Sequence, residues 1–454
     1  MAAQQGYYRA QSCLGDFYFY GNGVEKDYKE AMKWYSLAAK QGYAKAECSL
    51  GYFYQYGYGI EKDYKEAFRW YHLAARQGNA DAQCGLGDFY LYGYGVEEDN
   101  KEALKWYHLS AKQEYAIGQY RLGECYFYGY GVEKDYKEAI KWYHLSAKQR
   151  NAYAQYRLGD CHAYGLGVPQ DFKEAFKWYS LAANQGHVGA ECGLGYFYQY
   201  GYGIEKDYKE AIRWYHLAAK QGNAEGQYRL GECYLYGYGV EEDNKEALKW
   251  FHLAAKQEYA SAQARLGFCY VYAWGVKQDF NEAFKWYKLA AEQGEASAQS
   301  ELGSFYLYGV TGQKDLKKAF YWFTLAAKKG NSRGQYGLGE MYVHGSGVEK
   351  DYKEAFYWYF LSAKQGDARS QVGLAKMYAY GYGVEEDYKE AFKWFSLAAD
   401  QEDGEAQYFI GVMSYDGFGV TADKAQAKLW MKRSIDNGNK EAQNFWDENK
   451  LSNY

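Results

Sequence analysis

A period of 36 residues runs along the whole chain and limits its fold more than any other feature. A Leu-Gly pair begins at Leu14 and recurs every 36 residues, with one small change in each of the last two copies, as far as Ile410. A tryptophan keeps the same step from Trp34 to Trp430. Periods of this length are the signature of arrays built from one supersecondary unit. The 454 residues therefore predict one continuous array, and not the roughly three domains that length alone suggests.

Each copy predicts a pair of helices joined by a glycine turn. In the first copy, Ala10, Leu14 and Phe17 recur at helical spacing and define a first helix, helix A. Gly15 lies on the same stripe, and its lack of a side chain allows another helix to come close. The segment 20–24 that follows carries glycines at positions 21 and 23, which supply the positive φ of a tight reversal.

The second helix of each copy, helix B, begins with a capping signal. Asp27 is expected to cap the first turn, and Glu30 to bond back to the Asp27 N–H as in a capping box. Ala31 and Tyr35 belong to a stripe that alternates small and large side chains, and Leu37 flanks it. Two helices with such stripes cannot bury them alone, so the units are expected to stack into an all-α array of about 24 helices.

Composition and charge exclude several other classes of protein. The chain has a single proline, Pro169, and 21 % aromatic residues, which excludes collagen and intrinsic disorder. A formal net charge of −5 gives no global attraction to nucleic acid or to an anionic membrane. No apolar run approaches the roughly 18 residues of a membrane helix, so we expect no membrane insertion. Residues 1–6 carry no secretory signal, which predicts a cytoplasmic location, and the start in mid-repeat leads us to expect missing upstream sequence.

The repeat pattern resembles the Sel-one-like repeat family, a relative of the tetratricopeptide repeat. The first copy matches that family's pattern at Ala10, Leu14, Gly15, Tyr18, Gly21, Gly23, Val24, Asp27, Ala31, Trp34, Tyr35, Ala38, Ala39 and Gly42. The resemblance covers nearly the whole chain and implies a right-handed α/α superhelix of about twelve 36-residue helix-turn-helix repeats, forming a single domain over residues 1–454. We place the repeats at about 7–438 and a C-terminal capping segment at 439–454.

The resemblance also carries functional expectations. Members of the family are mostly adaptors that assemble complexes. A secreted, cysteine-rich branch carries a disulfide in each repeat and is linked to β-lactam binding or hydrolysis. This chain departs from that branch, because none of its repeats holds two of its eight cysteines. We interpret the cysteines as small core residues.

The candidate chemical groups give no catalytic or metal site. Equivalent positions in stacked repeats lie about 10 Å or more apart, too far for shared ligation, and this applies to His72, His108, His144, His216 and His252. The Gly-x-Gly turns lack the Lys-Ser/Thr of a phosphate loop, and a Ser-x-x-Lys sequence is absent. We therefore predict no enzyme, no cofactor, no metal and no nucleic-acid binding. Basic residues on helix A are expected to form solvated pairs with an acid three residues later, as for Arg121, Arg157 and Arg229.

A second stripe of helix A is the predicted binding surface. By resemblance to tetratricopeptide arrays, helix A lines the concave face, and this stripe would point into the groove. The candidate partner-binding residues on the stripe are Asp16, Tyr20, Tyr52, Tyr56, Asp88, Tyr92, Glu124, Tyr128, Asp160, Tyr164, Tyr196, Tyr200, Glu232 and Tyr236. The alternative is that the tyrosines only pack the turn between helices A and B.

The sequence thus favours a non-enzymatic scaffold that binds a partner protein or peptide along the helix-A face. Tyrosines and acids together suit an extended segment that carries lysine or arginine, through cation–π and paired contacts. The second hypothesis is glycan binding, because ladders of tyrosine can stack on sugar rings. The third is a β-lactamase-like enzyme of the cysteine-rich branch.

Overall fold

The computed structural model describes residues 2–451 and contains, in that range, twenty-five α-helices. Residues 452–454 of the predicted capping segment lie outside the described residues. The chain divides into two compact units, one up to residue 223 and one from residue 224 onward. Helices α1 to α12 belong to the first unit and α13 to α25 to the second.

The first unit holds six helix pairs. Its helices are α1 (Tyr8–Tyr20), α2 (Tyr28–Ala39), α3 (Ala44–Tyr56), α4 (Tyr64–Arg76), α5 (Ala80–Tyr92), α6 (Asn100–Lys112), α7 (Ala116–Tyr128), α8 (Tyr136–Lys148), α9 (Ala152–Tyr164), α10 (Phe172–Ala183), α11 (Val188–Tyr200) and α12 (Tyr208–Lys220). The odd-numbered helices are helices A and the even-numbered ones are helices B.

The second unit continues the same alternation. Its helices are α13 (Ala224–Tyr236), α14 (Asn244–Lys256), α15 (Ala260–Tyr272), α16 (Phe280–Glu292), α17 (Ala296–Tyr308), α18 (Leu316–Lys328), α19 (Ser332–His344), α20 (Tyr352–Lys364), α21 (Ala368–Tyr380), α22 (Tyr388–Ala399), α23 (Gly404–Asp416), α24 (Lys424–Asp436) and α25 (Lys440–Glu448). Within each unit, every helix packs on the next one along the chain. The prediction of an all-α array with two helices in each 36-residue repeat is confirmed.

The close contact inside each repeat joins a helix-A glycine to an aromatic ring of helix B. A Cβ atom on Gly123 would lie 2.6 Å from Cε1 of Tyr143, so only glycine allows the ring to lie flat on the helix-A backbone. Tyr143 is fully buried there. The same pairing recurs as Gly15–Tyr35, Gly51–Tyr71, Gly87–Tyr107, Gly159–Tyr179, Gly195–Tyr215, Gly231–Phe251, Gly267–Tyr287, Gly303–Phe323 and Gly339–Tyr359. This contact explains the Leu-Gly signature of the sequence.

The turns between helices A and B use the paired glycines as predicted. Gly21 ends α1 with φ 76°, and its N–H donates to the carbonyl oxygen of Phe17 at 2.8 Å. The second glycine of the pair has a further role that the sequence did not reveal. A Cβ on Gly95 would lie 2.7 Å from the carbonyl carbon of Tyr64, at the start of helix B in the preceding repeat. The turn therefore packs against its neighbouring repeat as well as reversing the chain.

The capping of helix B follows the prediction only in part. The Asp27 side chain accepts from the Glu30 N–H at 3.0 Å, as expected. The prediction that the Glu30 side chain accepts from the Asp27 N–H is wrong, because this N–H donates to the carbonyl oxygen of Tyr18 in helix A at 3.0 Å. Glu30 is thereby released to pair with Lys33 at 2.7 Å. The cap residue thus ties helix B to helix A, and the glutamate forms an exposed pair within its own helix.

A ladder of amides, in which the helix-A glutamine is buried and its helix-B partner is exposed, links the end of helix B to the start of helix A. Gln83 donates to the Ala75 carbonyl at 3.2 Å and accepts from Gln113 at 2.7 Å. Equivalent glutamine pairs recur in other repeats. Two repeats carry a buried glutamate instead, and Glu47 accepts from Gln77 at 2.6 Å. Burial raises the pKa of Glu47, and the hydrogen bond from Gln77 offsets part of that shift.

The last helix, α25, lies against α24 at the end of the second unit. Ala442 and Leu451 are fully buried in a cluster with Met431. Met431 occupies the position that holds the aromatic ring of helix B in earlier repeats. Its contact with Gly411 repeats the glycine pairing with a flexible side chain in place of a ring.

The glycine contact predicts opposite effects for two Gly→Ala substitutions. Gly123→Ala places a methyl group against the Tyr143 ring and is expected to lower the free energy of unfolding by about 1–3 kcal/mol. Gly193→Ala is the matched control, because its Cβ would meet Tyr179 at an ordinary 3.7 Å. Higher helix propensity is expected to make this change neutral or stabilising by roughly 0.5–1 kcal/mol. Urea unfolding followed by far-UV circular dichroism measures both, and equal effects would contradict the packing argument.

The buried glutamates predict a stability difference that depends on pH. Burial raises the pKa of Glu47 and of Glu191, so the native state holds their protons more tightly than the unfolded chain does. The native chain therefore loses stability as pH rises through these raised pKa values. The double change Glu47→Gln and Glu191→Gln removes this loss and restores the amide ladder. We expect a gain on the order of 1 kcal/mol per site at pH 7.

The same comparison at lower pH completes the test. The gain is expected to shrink as pH falls towards 4.5, the usual pKa of glutamate, because the wild-type side chains become protonated. Urea midpoints at pH 7, 6 and 5 measure the difference. A gain that grows on acidification would show that these glutamates do not carry it.

Candidate functional site

Most of the carboxylates predicted for the binding surface accept hydrogen bonds from buried tyrosines of helix B. Glu232 is the exception, because the ring beside it is Phe251 and its tyrosine donor is Tyr228 of helix A. The row contains Asp16, Asp88, Glu124 and Asp160 in the first unit and Glu232 and Glu340 in the second; we call it the carboxylate row. Tyr107 donates to Asp88 at 2.6 Å and Tyr143 to Glu124 at 2.5 Å. Equivalent bonds join Tyr35 to Asp16, Tyr179 to Asp160 and Tyr359 to Glu340. These carboxylates therefore satisfy hydroxyl groups that burial would otherwise leave without an acceptor.

Repeats without a carboxylate solve the same problem differently. In the second repeat Tyr52 takes the place of the acid, and the Tyr71 hydroxyl donates instead to Gln55 at 2.8 Å. In the ninth repeat Ser304 takes the place of the acid, and the ring is Phe323, which has no hydroxyl. The row residue matches the buried ring in these repeats but not in all of them, because Glu232 lies beside Phe251, and beside Phe268 the Tyr287 hydroxyl has no hydrogen-bond partner among the described residues.

Arginines from the next repeat cover the carboxylates on the other side. Arg157 binds both oxygens of Glu124, with its Nε and Nη2 each at 3.0 Å. Arg121 approaches Asp88 at 3.1 Å, and Arg265 approaches Glu232 at 3.0 Å. These pairs are bidentate or charge-assisted, and they bridge residues 33 positions apart, so they join successive repeats.

The predicted pairing of these arginines with an acid three residues later is confirmed for Arg157 and Arg229 and is wrong for Arg121. Contacts three residues along the helix do occur for Arg157 with Asp160, at 3.5 Å, and for Arg229 with Glu232, at 3.2 Å. Arg121 pairs with Asp88 in the preceding repeat instead. The side chains of Arg157 and Glu124 are only 20 % and 14 % exposed, so the pair is not a solvated surface pair. Stacking of the repeats decides these partners, and helical spacing alone does not show them.

Burial perturbs the acids of the row. Burial raises the pKa of Asp160 to about 6, against the opposing effect of its hydrogen bond from Tyr179 and the nearby Arg157. Burial likewise raises the pKa of Asp88, while Arg121 and Tyr107 act in the opposite direction. A strongly perturbed acid is a hallmark of many catalytic sites. Here each perturbed acid faces a hydroxyl and a guanidinium of its own chain, which explains the shift as packing.

The predicted tyrosines at the end of helix A remain exposed. The exposed fraction ranges from 37 % to 71 % for Tyr20, Tyr56, Tyr92, Tyr128, Tyr164, Tyr200 and Tyr236. Tyr272, Tyr308 and Tyr380 continue the series in the second unit with exposures of 50–67 %. We call these residues the tyrosine row. Their rings contact a second tyrosine two residues later in several repeats, as in Tyr92–Tyr94 at 5.5 Å between ring centroids. Packing of the turn therefore uses one edge of these rings and leaves the rest accessible.

Tyr52 and Tyr196, the two predicted tyrosines in the carboxylate row, form matching aromatic clusters. The Tyr52 ring lies 4.4 Å from Tyr56 and is stacked on Tyr58 at 5.6 Å. Tyr196 repeats the first contact with Tyr200, at 4.5 Å. In the first unit, Tyr20, Tyr52 and Tyr56 line a groove of about 540 Å³ together with Asp16 and Asp88. The structure thus brings several of the predicted residues to one opening.

A second row of exposed apolar side chains lies on helix B. The sequence predicts that these leucines flank the core. Exposures of 39–47 % are found for Leu37, Leu73, Leu109, Leu145, Leu181, Leu217, Leu253, Leu289 and Leu397. Their position three residues after each tryptophan was visible as a period in the sequence, but not their exposure. These residues are named the leucine row. They give an alternative surface against which the tyrosine row can be tested.

The histidines of helix B take part in contacts between repeats. The rings of His108 and Trp142 meet edge to face at 5.9 Å, and those of His144 and Trp178 at 5.4 Å. Burial lowers the pKa of His108 and His144, with a further contribution from nearby cations. In residues 2–451, no cluster of three or more histidine, cysteine or acidic side chains has the arrangement of a metal site.

In residues 2–451 no disulfide joins any of the eight cysteines, and all except Cys13 are buried. Burial raises the pKa of Cys48 and Cys84, which keeps these thiols protonated. Among the helices of residues 2–451, none combines the length and the apolar character required to cross a bilayer.

Comparison with known proteins identifies the repeats. The Sel1 repeat family matches twelve consecutive segments, namely 9–43, 44–79, 80–115, 116–151, 152–187, 188–223, 224–259, 260–295, 296–331, 332–367, 368–403 and 404–439. The chain belongs to the Sel1 repeat family. The resemblance found in the sequence is thereby confirmed, and it covers both units.

Solved structures give similar Sel1 repeat proteins. A protective antigen of uropathogenic Escherichia coli strains with the same fold shares 35 % identity; the alignment covers 98 % of this chain and 95 % of that one, with a TM-score of 0.70. A Sel1 repeat protein from Oxalobacter formigenes shares 31 % identity over 54 % of this chain and 96 % of its own, with a TM-score of 0.50. No curated protein matched the chain.

The hydroxyl–carboxylate bonds predict unequal effects for two Tyr→Phe substitutions. Tyr107→Phe leaves Asp88 buried without its hydroxyl donor, and we expect a loss of about 2 kcal/mol in the free energy of unfolding. Tyr287→Phe is the control, because in the part of the chain that the structure describes the Tyr287 hydroxyl has no hydrogen-bond partner. We expect this change to be neutral or slightly stabilising. Urea unfolding of both variants is the measurement, and a loss at Tyr287 as large as at Tyr107 would refute the assignment.

Proposed function

We propose that this Sel1 repeat protein is a non-enzymatic scaffold that binds a partner protein through the tyrosine row. The observation that carries the proposal is the continued exposure of these aromatic rings, repeat after repeat, on the helix-A surface. Tyrosine is enriched at protein interfaces because its ring buries a large area while its hydroxyl remains able to hydrogen-bond. Large exposed apolar patches on a folded protein commonly mark interaction sites.

The polar groups near the tyrosine row support binding and not catalysis. Each carboxylate of the row in the first unit receives a hydroxyl from helix B. Asp16, Asp88 and Glu124 also meet a cation from the following helix A, and Asp160 meets Arg157 of its own helix. The groups that look reactive in the sequence are therefore engaged in holding repeats together. The similar Escherichia coli protein is a protective antigen, a description that includes no catalysed reaction.

The experiment compares two triple variants in the same three repeats. Alanine at Tyr20, Tyr56 and Tyr92 removes three rings of the tyrosine row. Alanine at three members of the leucine row (Leu37, Leu73 and Leu109) removes a similar amount of exposed apolar surface from helix B. Both sets are at least 40 % exposed, so we expect each to change the free energy of unfolding by only about 0.5 kcal/mol per residue.

The readout is the set of proteins captured from cells of the source organism by each immobilised variant, quantified by mass spectrometry. Proteins that the wild-type chain retains are expected to fall at least about tenfold with the tyrosine variant and to remain with the leucine variant. The reverse pattern would assign binding to helix B and refute the proposal. A glycan array probed with the same variants separates the second hypothesis, since tyrosine-dependent glycan binding without protein capture would favour a lectin.

A further inference from the structure

The chain itself shows how its helix-A surface holds an arginine side chain. Arg157 binds both oxygens of Glu124, donates to the Tyr128 hydroxyl at 2.7 Å and lies 5.4 Å from the centre of the Tyr128 ring. Tyr120, four residues before the carboxylate, donates to the same Glu124 at 3.2 Å. One carboxylate with an aromatic residue on each side therefore forms a guanidinium site. We call this arrangement an arginine slot.

A second arginine slot repeats the geometry in the other unit. Arg265 lies 3.0 Å from Glu232, donates to the Tyr236 hydroxyl at 3.0 Å and lies 5.7 Å from the centre of the Tyr236 ring. Tyr228 donates to Glu232 at 2.8 Å, as Tyr120 does to Glu124. Two independent copies thus define the same recognition chemistry: a bidentate or charge-assisted bond, a hydroxyl acceptor and a ring face.

The tenth and eleventh repeats contain the walls of this slot without its arginine. Glu340 provides the carboxylate, Tyr336 the preceding ring and His344 the residue four positions later. The position equivalent to Arg157 and Arg265 is Gly373. A cavity of about 440 Å³ opens at this place, and Tyr336, Glu340, His344 and Gly373 all line it.

The exposure of the carboxylate agrees with this difference. The Glu340 side chain is 35 % exposed, whereas Glu124 and Glu232 are 14 % and 13 % exposed beneath their arginines. Tyr359 donates to one Glu340 oxygen, as helix-B tyrosines do to the other carboxylates of the row except Glu232. In the described part of the chain, the ion pair of Glu340 is with His344, at 3.5 Å from the second oxygen.

The two cations that line the cavity have carboxylate partners of their own. Arg369 lies 2.9 Å from Asp367 and stands over the Tyr336 ring, and Lys376 lies 2.7 Å from Glu405. Glu340 therefore lines this opening without a lysine or arginine partner among the described residues, at the position where Glu124 and Glu232 bind an arginine in the two other slots.

We propose that the slot formed by Tyr336, Glu340, His344 and Gly373 binds an arginine side chain from an extended segment of a partner protein. The inference rests on the proposed scaffold function and names one residue type that the surface recognises. A planar guanidinium bonds to both the carboxylate and a neighbouring acceptor and stacks on an aromatic face, which an ammonium group does less well. Arginine is thus the expected occupant in preference to lysine.

The test titrates the full chain with short synthetic peptides by isothermal titration calorimetry. The probe is a five-residue peptide with a central arginine between glycine and serine residues, and its matched control carries citrulline, which has nearly the same shape and no charge. We expect the arginine peptide to bind at least about tenfold more tightly than the citrulline peptide, and the lysine peptide to lie between them.

Two variants test whether the slot is responsible. Glu340→Gln keeps an oxygen for the Tyr359 hydroxyl but removes the charge, and is expected to reduce the arginine preference to less than about threefold. Gly373→Arg supplies the arginine from the chain itself and is expected to abolish peptide binding. Its Cβ would lie 3.0 Å from the Tyr359 ring, so that ring must shift slightly, and urea unfolding checks that the variant is folded. Gly193→Arg adds the same charge at the equivalent position in the other unit and is expected to bind like the wild type.

Three outcomes would overturn the slot. They are equal affinity for the arginine and citrulline peptides, an arginine preference that survives Glu340→Gln, and tighter binding of a glutamate peptide that is lost on Arg369→Ala. The scaffold proposal is tested separately, because its variant changes only Tyr20, Tyr56 and Tyr92 and none of the residues of the slot. Loss of protein capture in that variant together with a failed peptide titration would retain the scaffold and reject the slot.

Discussion

The contact of a helix-B aromatic ring with a helix-A glycine is the constraint on which the rest of each repeat depends. Without a Cβ at Gly123, the Tyr143 ring lies against the helix-A backbone and is fully buried. That depth places the hydroxyl next to the residue after the glycine, which is Glu124. A buried hydroxyl needs an acceptor, and a carboxylate taken from water needs further partners. The glycine in helix A therefore leads to a polar contact between its neighbouring carboxylate and the next helix A.

The next repeat supplies those partners, and this links the interior of one repeat to its neighbour. Arg157 reaches Glu124 from the following helix A and also meets the Tyr128 hydroxyl. Where the ring is phenylalanine, no hydroxyl needs an acceptor, and the adjacent position is Ser304 beside Phe323 but Glu232 beside Phe251, where the acid binds Arg265 instead. Where all four are present, the glycine, the ring, the carboxylate and the arginine contact one another in that order. The tyrosine row lies where these contacts reach the solvent.

Much of this architecture is readable from the sequence because it is local and periodic. The 36-residue step gives the helix pairs, the glycines at 21 and 23 give the turns, and Asp27 gives the start of helix B. The failures concern contacts between elements. The Asp27 N–H goes to Tyr18 and not to Glu30, and Arg121 goes to Asp88 and not to Glu124. Such partners depend on how helices stack, so spacing along one helix cannot select them. Exposure of the tyrosine and leucine rows is undetermined by periodicity for the same reason.

The packing of the core constrains the residue at the position of Arg157 less than it constrains the glycine and the ring. Glycine at Gly193 or Gly373 leaves the ring beneath it buried, so the arginine is not needed to pack the repeat. Its absence exposes the carboxylate only where no other arginine covers it: Asp160 beside Gly193 is 12 % exposed because Arg157 of its own helix pairs with it, whereas Glu340 beside Gly373 is 35 % exposed. At Glu340, glycine at this position thus leaves an opening where Glu124 and Glu232 meet an arginine, and the Tyr359 ring remains buried against Gly339. Under the proposed scaffold function, one substitution at this position would change a single slot of the binding surface while the glycine–ring contact of that repeat is retained.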